Sequence, residues 1–153
     1  MANSGGTTHK VSKWINHEDY DNEALTNDIG LIQIEDEFEF DDVTQPTEFV
    51  DPVENATCSL AGWGMTDTVD FPDELQFVDQ TIFSFDTCKS FVGDELVEEQ
   101  ICAFAQQGKG VCIGDSGGPL VCEGKLAGIV TYFIGGCGSG YPDFYTRTIP
   151  YVE

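Results

Sequence analysis

The apolar residues of this chain fall in short runs that glycine, proline, asparagine or aspartate interrupts. The runs occupy residues 28–34, 56–64, 75–83, 100–105, 118–133 and 141–149. Short runs separated by turn-forming residues are typical of β-strands rather than of helices. Apolar and polar residues alternate within 75–83, and Glu123-Gly124 stands where a hairpin turn would divide the run 118–133. The pattern predicts an all-β fold.

One segment departs from the strand pattern. Residues 85–91 predict a helix of one or two turns with Asp86 as its N-cap, and the acidic residues 94–100 predict a loop or turn. The sequence contains no internal repeat and no low-complexity tract.

The charge of the chain narrows the classes of partner. It carries 28 acidic and 6 basic side chains, a formal charge of −22 at pH 7. Such a charge repels phosphates, so we expect no binding to nucleic acid or to an anionic membrane. Hydrophobic residues make up 41% of the chain, which is too many for a disordered acidic tail. No apolar run approaches the roughly 20 residues of a membrane-spanning helix, and the first residues lack the features of a signal peptide.

The cysteines indicate an oxidising compartment. Neighbouring cysteines stand at least ten residues apart, so the sequence holds no Cys-x-x-Cys pair for a metal or a redox site. An even number of dispersed cysteines in a β-rich chain predicts a disulfide framework. The spacing does not decide which cysteines pair, and buried free thiols remain an alternative. The six are Cys58, Cys88, Cys102, Cys112, Cys122 and Cys137. Asn55-Ala56-Thr57 is a glycosylation sequon, which agrees with secretion.

The composition changes twice along the chain. The acidic residues 35–42, followed by a proline-containing stretch up to residue 52, predict the end of one β unit and an extended linker into another. Later, 11 of the 17 glycines fall between Gly108 and Gly140. A concentration of glycine indicates backbone that must turn tightly where side chains would obstruct it.

The glycine-rich region contains Lys-Gly-Val-Cys-Ile-Gly-Asp-Ser-Gly-Gly-Pro-Leu at residues 109–120. Here the sequence resembles the chymotrypsin and trypsin family of serine endopeptidases. The resemblance continues, in the family's order, through residues 27–32, 58–64 and 141–147. It implies a chymotrypsin-like double β-barrel: the remainder of an N-terminal barrel in residues 1–44, a linker in 45–57 and nearly all of a C-terminal barrel in 58–153. The closest likeness is to arthropod digestive chymotrypsins.

The resemblance implies a catalytic role for three residues. A serine hydroxyl needs a base to remove its proton, and the oxyanion formed on attack needs fixed hydrogen-bond donors. Ser116 matches the family nucleophile, and the backbone N–H groups of Gly114 and Ser116 match the oxyanion hole. Asp28 matches the carboxylate that orients the catalytic histidine.

The same residues also satisfy the Gly-x-Ser-x-Gly pattern of α/β-hydrolases. That nucleophile elbow requires a helix directly after the serine and a histidine further along the chain. Here Gly117-Gly118-Pro119 leads into a hairpin pattern, and no histidine follows His17. The sequence therefore excludes this alternative.

The general base of the family has no match in the sequence. The histidines are His9 and His17, and neither stands in the family's histidine motif, so we expect structural or solvent-exposed roles for both. The family's N-terminal amine, which pairs with the aspartate matching Asp115, and its terminal helix are also without a match. The sequence predicts a fragment of a protease that is inactive alone.

The resemblance further implies three disulfides and a substrate pocket. The disulfides pair Cys58 with Cys122, Cys88 with Cys102 and Cys112 with Cys137. Trypsin-like members carry an aspartate at the position of Gly110, so we expect a preference for large apolar side chains over basic ones. Asp143 leaves open a broader, collagenolytic preference that includes basic side chains, and Phe133 either narrows the pocket or packs into the barrel. The implied lining is Gly110, Val111, Ile113, Thr131, Tyr132, Phe133 and Asp143.

We expect a secreted, extracellular and monomeric enzyme that acts in digestion on protein or peptide substrates and meets protein inhibitors. No cofactor and no metal is expected. The alternative is a non-catalytic serine-protease homologue that serves as a binding module. Retention of both Asp28 and Ser116 favours the enzyme.

Overall fold

A computed structural model describes residues 6–152 as two antiparallel sheets. The first has two strands, β1 (Val11–Asn16) and β2 (Gly30–Ile34). The second consists of β3 (Thr57–Gly62), β4 (Gln76–Ile82), β5 (Gln100–Phe104), β6 (Pro119–Cys122), β7 (Lys125–Phe133) and β8 (Asp143–Arg147). These strands form a closed barrel in the order β3-β4-β5-β8-β7-β6. This architecture confirms the all-β prediction.

The helix α1 (Phe85–Val92) lies where the sequence predicts one, but its N-cap is Ser84. The Ser84 hydroxyl accepts a hydrogen bond from the Thr87 N–H, which satisfies a donor that the first helical turn leaves without a partner. The prediction of Asp86 as the cap is therefore wrong. Asp86 instead lies in the first turn, where its charge complements the helix dipole. Short 3₁₀ turns follow at Gly93–Glu95 and Ile149–Tyr151.

The turn between β6 and β7 falls at Glu123 and Gly124, as predicted. Both residues have positive φ angles, 54° and 74°. Two successive positive φ angles are typical of the tight hairpin turn whose twist matches that of the flanking strands. This turn brings β6 and β7 together in the hairpin on which the candidate nucleophile depends.

Strand β1 was not among the predicted strands. It pairs with β2 over Val11–Asn16, and every one of its residues is exposed. Large apolar side chains of this sheet face solvent: Trp14 is 73% exposed, Leu31 69% and Ile32 70%. A sheet with apolar residues in solvent on this scale has a surface that is suited to contact with further protein.

The predicted linker, residues 45–57, packs along the barrel. Phe49 forms a parallel bridge with Leu126, and the N–H of Leu126 donates to the Glu48 carbonyl oxygen at 2.9 Å. In the middle of the segment, Arg147 Nε donates to Asp51 Oδ1 at 2.7 Å, and a second guanidinium nitrogen donates to Asp51 Oδ2. These contacts tie the segment to the ends of β7 and β8. The boundaries at 44/45 and 57/58 remain predictions.

The core consists of two clusters. One fills the barrel, and the other lies between the barrel wall and α1. Strand β8 separates them, because Phe144 belongs to the outer cluster and Tyr145 to the inner one. The inner cluster is Cys58, Leu60, Ile82, Ala103, Val111, Leu120, Cys122, Ala127, Val130 and Tyr145.

Strand β4 turns a polar residue inward. Gln80 is only 1% exposed, whereas Phe77 on the opposite face is 77% exposed. The alternation of residues 75–83 predicted a strand correctly, but it did not predict that its buried face carries a glutamine.

The structure forms three disulfides, in the same pairs that the family resemblance implies. Cys58–Cys122 joins β3 to β6 at directly paired positions, and Cys88–Cys102 joins α1 to β5. Cys112–Cys137 joins the loop before β6 to the loop after β7. The barrel is therefore cross-linked at its seam, to its helix and between two loops.

The disulfides differ in the length of chain they close, 64 residues for Cys58–Cys122 and 14 for Cys88–Cys102. We expect the double variant Cys58→Ala/Cys122→Ala to lose about 1 kcal/mol more stability than Cys88→Ala/Cys102→Ala, because a longer closed loop restricts the unfolded chain more. Urea unfolding without reductant measures both losses. A larger loss for the 14-residue pair would contradict this prediction.

Candidate active site

Two consecutive tight turns place Ser116 at the surface. The first runs from Cys112 to Asp115, whose N–H donates to the Cys112 carbonyl oxygen at 3.1 Å. The second runs from Asp115 to Gly118, whose N–H donates to the Asp115 carbonyl oxygen at 2.8 Å. A Cβ atom on Gly118 would lie 2.7 Å from that oxygen, so the second turn requires glycine. Ser116 lies within the second turn and is exposed.

Gly114 and Ser116 have backbone N–H groups that make no hydrogen bond within residues 6–152. The neighbouring N–H groups are engaged: Asp115 donates to Cys112, and Gly117 donates to the Val130 carbonyl oxygen at 2.9 Å. Gly114 has a φ of 101°, a conformation that favours glycine. The turn thus leaves two N–H donors unbonded, one of them on the serine itself. Donors of this kind are what an oxyanion requires.

The side chain of Asp115 fixes this turn to the end of β3. Its Oδ1 accepts from the Gly64 N–H at 2.9 Å, and its Oδ2 accepts from the Cys112 N–H at 3.0 Å. A Cβ atom at Gly62 or at Gly64 would overlap the carboxylate. The two glycines therefore leave the room that the aspartate occupies. Asp115 lines a cavity of about 660 Å³ together with Gly62, Gly64 and Gly110.

Asp28 is held by its backbone to the barrel. Its carbonyl oxygen accepts from the Thr146 hydroxyl at 3.0 Å, and Thr146 in turn contacts the Thr131 hydroxyl at 2.8 Å. The adjacent Asn27 accepts from the Tyr151 hydroxyl at 2.9 Å. Burial raises the pKa of Asp28 above its usual range. Because burial makes this carboxyl costly to ionise, a cationic neighbour would stabilise its charged form.

Asp28 and Ser116 line one cavity of about 580 Å³. Its other walls come from the β1–β2 sheet, including Trp14 and Ile15, and from Ile129 and Val130 of β7. The structure thus brings the predicted nucleophile and the predicted carboxylate to the same cavity, although 88 positions separate them in the sequence (116 − 28).

Neither histidine lines this cavity. The Nδ1 atom of His17 accepts from the Asp19 N–H at 3.2 Å, and its ring packs edge-on against Tyr151 with 5.3 Å between centroids. His9 pairs with Asp36 at 2.9 Å and packs on Phe38. Each ring is thus engaged by a hydrogen bond and by an aromatic neighbour.

The residues of the predicted substrate pocket do not form one continuous lining. Gly110 lines the larger cavity, Val111 is buried in the barrel core, and Ile113 is 58% exposed.

Tyr132 stacks on Phe144 at 4.6 Å between ring centroids and packs against the outer cluster. On either side of Tyr132, the Thr131 hydroxyl forms a hydrogen bond with the Thr146 hydroxyl, and Phe133 packs against the inner cluster.

Asp143 lies buried where the resemblance puts the base of this pocket. Its Oδ2 accepts from the Val111 N–H and from Gln80 Nε2, both at 2.8 Å. Burial raises the pKa of Asp143 to about 6, with a smaller contribution from the charge of Asp115, while the two hydrogen bonds oppose the rise. A Cβ atom at Gly110 would lie 2.5 Å from Asp143 Oδ2. Asp143 therefore requires glycine at position 110.

The sequence missed two residues that organise the site. Gln80 contacts Asp143, and Thr146 holds the backbone of Asp28. Both are polar residues inside apolar strand patterns, which is the one signal that could have marked them.

Among residues 6–152, no group of three or more histidine, cysteine, aspartate or glutamate side chains is placed to hold a metal ion. In the same part of the chain, no helix has the length and apolar character needed to cross a membrane.

A barrel with a serine at such a turn and a carboxylate across the cavity defines the class of serine-protease folds. The family described as Trypsin matches residues 1–153, so the chain belongs to the trypsin family. Trypsin delta of Drosophila erecta is 37% identical over 150 residues, covering 94% of this chain and 59% of the fly protein. Serine protease 1 of Homo sapiens is 34% identical over 94% of this chain and 60% of its own length.

A solved serine-protease structure has the same fold. Neuropsin, a serine protease expressed in the limbic system of mouse brain, superposes with a TM-score of 0.87 at 31% identity, over 94% of this chain and 68% of its own. These matches confirm the predicted chymotrypsin-like barrel. The chain spans about 60% of the length of the curated relatives it matches.

The raised pKa of Asp143 gives a prediction about stability and pH. Because this carboxyl binds its proton more tightly in the folded than in the unfolded chain, its contribution to stability falls as pH rises from about 4 to about 6. We compare the free energy of unfolding of Asp143→Asn with that of the unmodified chain. The difference should change by roughly 2 to 3 kcal/mol in favour of the variant as pH rises from 3.5 to 7.5. One amide oxygen can accept both hydrogen bonds.

Urea unfolding of both chains at pH 3.5, 5.0 and 7.5 measures this difference. A stability difference that does not change with pH, or one that falls as pH rises, would contradict the assignment of Asp143 as a buried carboxyl with a raised pKa.

Proposed function

We propose that this chain is the larger part of a serine endopeptidase that forms an acyl-enzyme on Ser116. The observation that carries the proposal is the shared cavity: Ser116 lies on an exposed turn beside the unbonded N–H groups of Gly114 and Ser116, and Asp28 lines the same cavity. Membership of the trypsin family supports the same chemistry.

In the proposed reaction, Ser116 Oγ attacks the carbonyl carbon of a peptide bond and gives its proton to a base in the cavity. The carbonyl oxygen becomes an oxyanion that accepts from the Gly114 and Ser116 N–H groups. The base returns the proton to the leaving amine as the C–N bond breaks, and water then hydrolyses the ester on Ser116. Asp28 stabilises the positive charge that the base acquires.

The base itself comes, in this proposal, from chain beyond these 153 residues, so the chain alone is inactive. Neither histidine lines the cavity, and the chain matches about 60% of the length of its relatives. The apolar side chains exposed on the β1–β2 sheet, such as Trp14 and Leu31, support a further segment packing there.

We further propose that the enzyme prefers large apolar side chains on the acyl side of the cleaved bond. The presence of Asp143 forbids a side chain at position 110, so the aspartate that binds basic side chains in trypsin-like members has no place here. Of the implied lining, Tyr132 and Phe133 are aromatic and half-buried, and Val111 is apolar but packs in the barrel core. The carboxylate of Asp143 is buried and accepts hydrogen bonds from Gln80 and from the Val111 N–H.

The disulfides support a secreted protein, and we propose digestion as its setting and protein or peptide substrates and protein inhibitors as its partners. We propose that it acts as a monomer without nucleic-acid or membrane partners. The second candidate function is that of a non-catalytic binding module. That alternative is favoured by one observation, the lack of a histidine at the cavity in residues 6–152.

A chimera tests the proposal. The part of Drosophila erecta trypsin delta that precedes the matched region, beginning at its mature N-terminus, is joined to residue 6 of this chain. We expect hydrolysis of peptides with phenylalanine or leucine on the acyl side, and at least a thousandfold loss of rate in the Ser116→Ala chimera, because the nucleophile is removed. Peptides with lysine or arginine at that position should react more slowly.

The 153-residue chain alone serves as the comparison and should show no turnover above background. Cleavage by that chain that depends on Ser116 would contradict the proposed source of the base. A chimera that forms all three disulfides but does not cleave any peptide would favour the binding module.

A further inference from the structure

A chain of buried polar groups runs behind the base of the candidate pocket. Gln80 Nε2 donates to Asp143 Oδ2 at 2.8 Å, and the Tyr145 hydroxyl donates to Gln80 Oε1 at 2.7 Å. Gln80 is 1% exposed and Tyr145 is fully buried. The proposed reaction makes no use of either residue.

The tyrosine fixes which way the glutamine amide faces. The single proton of the Tyr145 hydroxyl is donated to Gln80 Oε1, so the NH₂ group of Gln80 is the end that faces Asp143. An apolar side chain at position 80 would leave a buried hydroxyl and a buried carboxylate each short of a partner, which is costly inside a barrel.

The charge of Asp143 depends on few groups. The Val111 N–H and the Gln80 amide are its hydrogen-bond donors in the described part of the chain, and both favour the ionised form. Burial and the like charge of Asp115 favour the protonated form. Tyr145 is neutral, because burial raises its pKa well above the usual value. Gln80 is thus one of two donors that hold the charge on this carboxylate.

We propose that Gln80 is a positioning residue that keeps the Asp143 carboxylate ionised and directed toward Val111, and so sets how well the pocket distinguishes cationic from neutral side chains. The effect on discrimination rests on the proposed function, because it requires that Asp143 lies at the base of the substrate pocket. The effect of Gln80 on the ionisation of Asp143 holds independently of any activity.

The first test uses the unmodified 153-residue chain in an NMR pH titration. We expect the Gln80 side-chain amide and the Val111 N–H to shift with the same midpoint as the Asp143 carboxyl carbon. The side-chain amide of Gln100 is the internal control, because it is also buried but donates to the Leu25 carbonyl oxygen. A Gln80 amide that does not follow the titration of Asp143 would overturn the proposal.

The second test compares Gln80→Met with Gln100→Met, which each remove one buried amide from the barrel. Loss of a donor to the charged form should raise the midpoint of Asp143 by about one pH unit in Gln80→Met and leave it unchanged in Gln100→Met. Equal midpoints in the two variants would overturn the role of Gln80. If Gln80→Met does not fold, the titration of the unmodified chain decides.

The third test measures discrimination with benzamidine, which is cationic, and benzamide, which has the same shape and no charge. At pH 6 a midpoint raised by about one pH unit lowers the ionised fraction of Asp143 from about one half to about one tenth. The ratio of benzamidine to benzamide affinity should therefore fall about fivefold in Gln80→Met and stay constant in Gln100→Met. Affinities come from the amide shifts of Gly110 and Val111.

The outcomes separate the two claims. If neither probe shifts Gly110 or Val111, the proposed pocket and its discrimination are both wrong, while the titrations still decide the effect of Gln80 on Asp143. If Gln80→Met raises the midpoint of Asp143 but leaves the affinity ratio unchanged, the discrimination by Gln80 is overturned although the pocket stands.

Discussion

The pairing of β3 with both β4 and β6 closes the barrel, and the placement of the candidate site follows from that closure. The seam is cross-linked by Cys58–Cys122. The end of β3 then lies beside the turn that precedes β6, so Gly64 can donate to Asp115 and hold the turn that carries Ser116. A site assembled from a loop and a distant strand end gains its rigidity from this closed ladder.

Two carboxylates in the barrel use the same physical device. Asp115 occupies the space that side chains at Gly62 and Gly64 would fill, and Asp143 does so at Gly110. Two backbone N–H groups donate to the half-buried Asp115, and one backbone N–H and the Gln80 amide donate to the buried Asp143. These bonds offset part of the cost of removing each carboxylate from water. The two carboxylates therefore require glycine at positions 62, 64 and 110. This coupling explains why the chain cannot combine Asp143 with an acidic side chain at position 110.

The sequence predicted the parts of the fold that depend on local pattern. The β6–β7 turn at Glu123-Gly124 is one example, because positive φ angles leave a local signature. It did not predict β1, whose residues are all exposed, or the inward face of β4, since alternation shows that a strand has two faces but not which one meets the core. The motif at 109–120 indicated Ser116 and the resemblance at 27–32 indicated Asp28, whereas Gln80 and Thr146 depend on contacts between distant strands.

Ser116 and Asp28 line one cavity, and the proposed reaction requires a base there. The most direct measurement is mass spectrometry of the 153-residue chain after exposure to a small fluorophosphonate, with and without free imidazole as the base. We expect an adduct on Ser116 that forms faster with imidazole than without it. The acceleration by imidazole should be smaller in Asp28→Ala, which cannot stabilise the imidazolium. Labelling of Ser116 no faster than that of the other serines, with or without imidazole, would contradict this expectation.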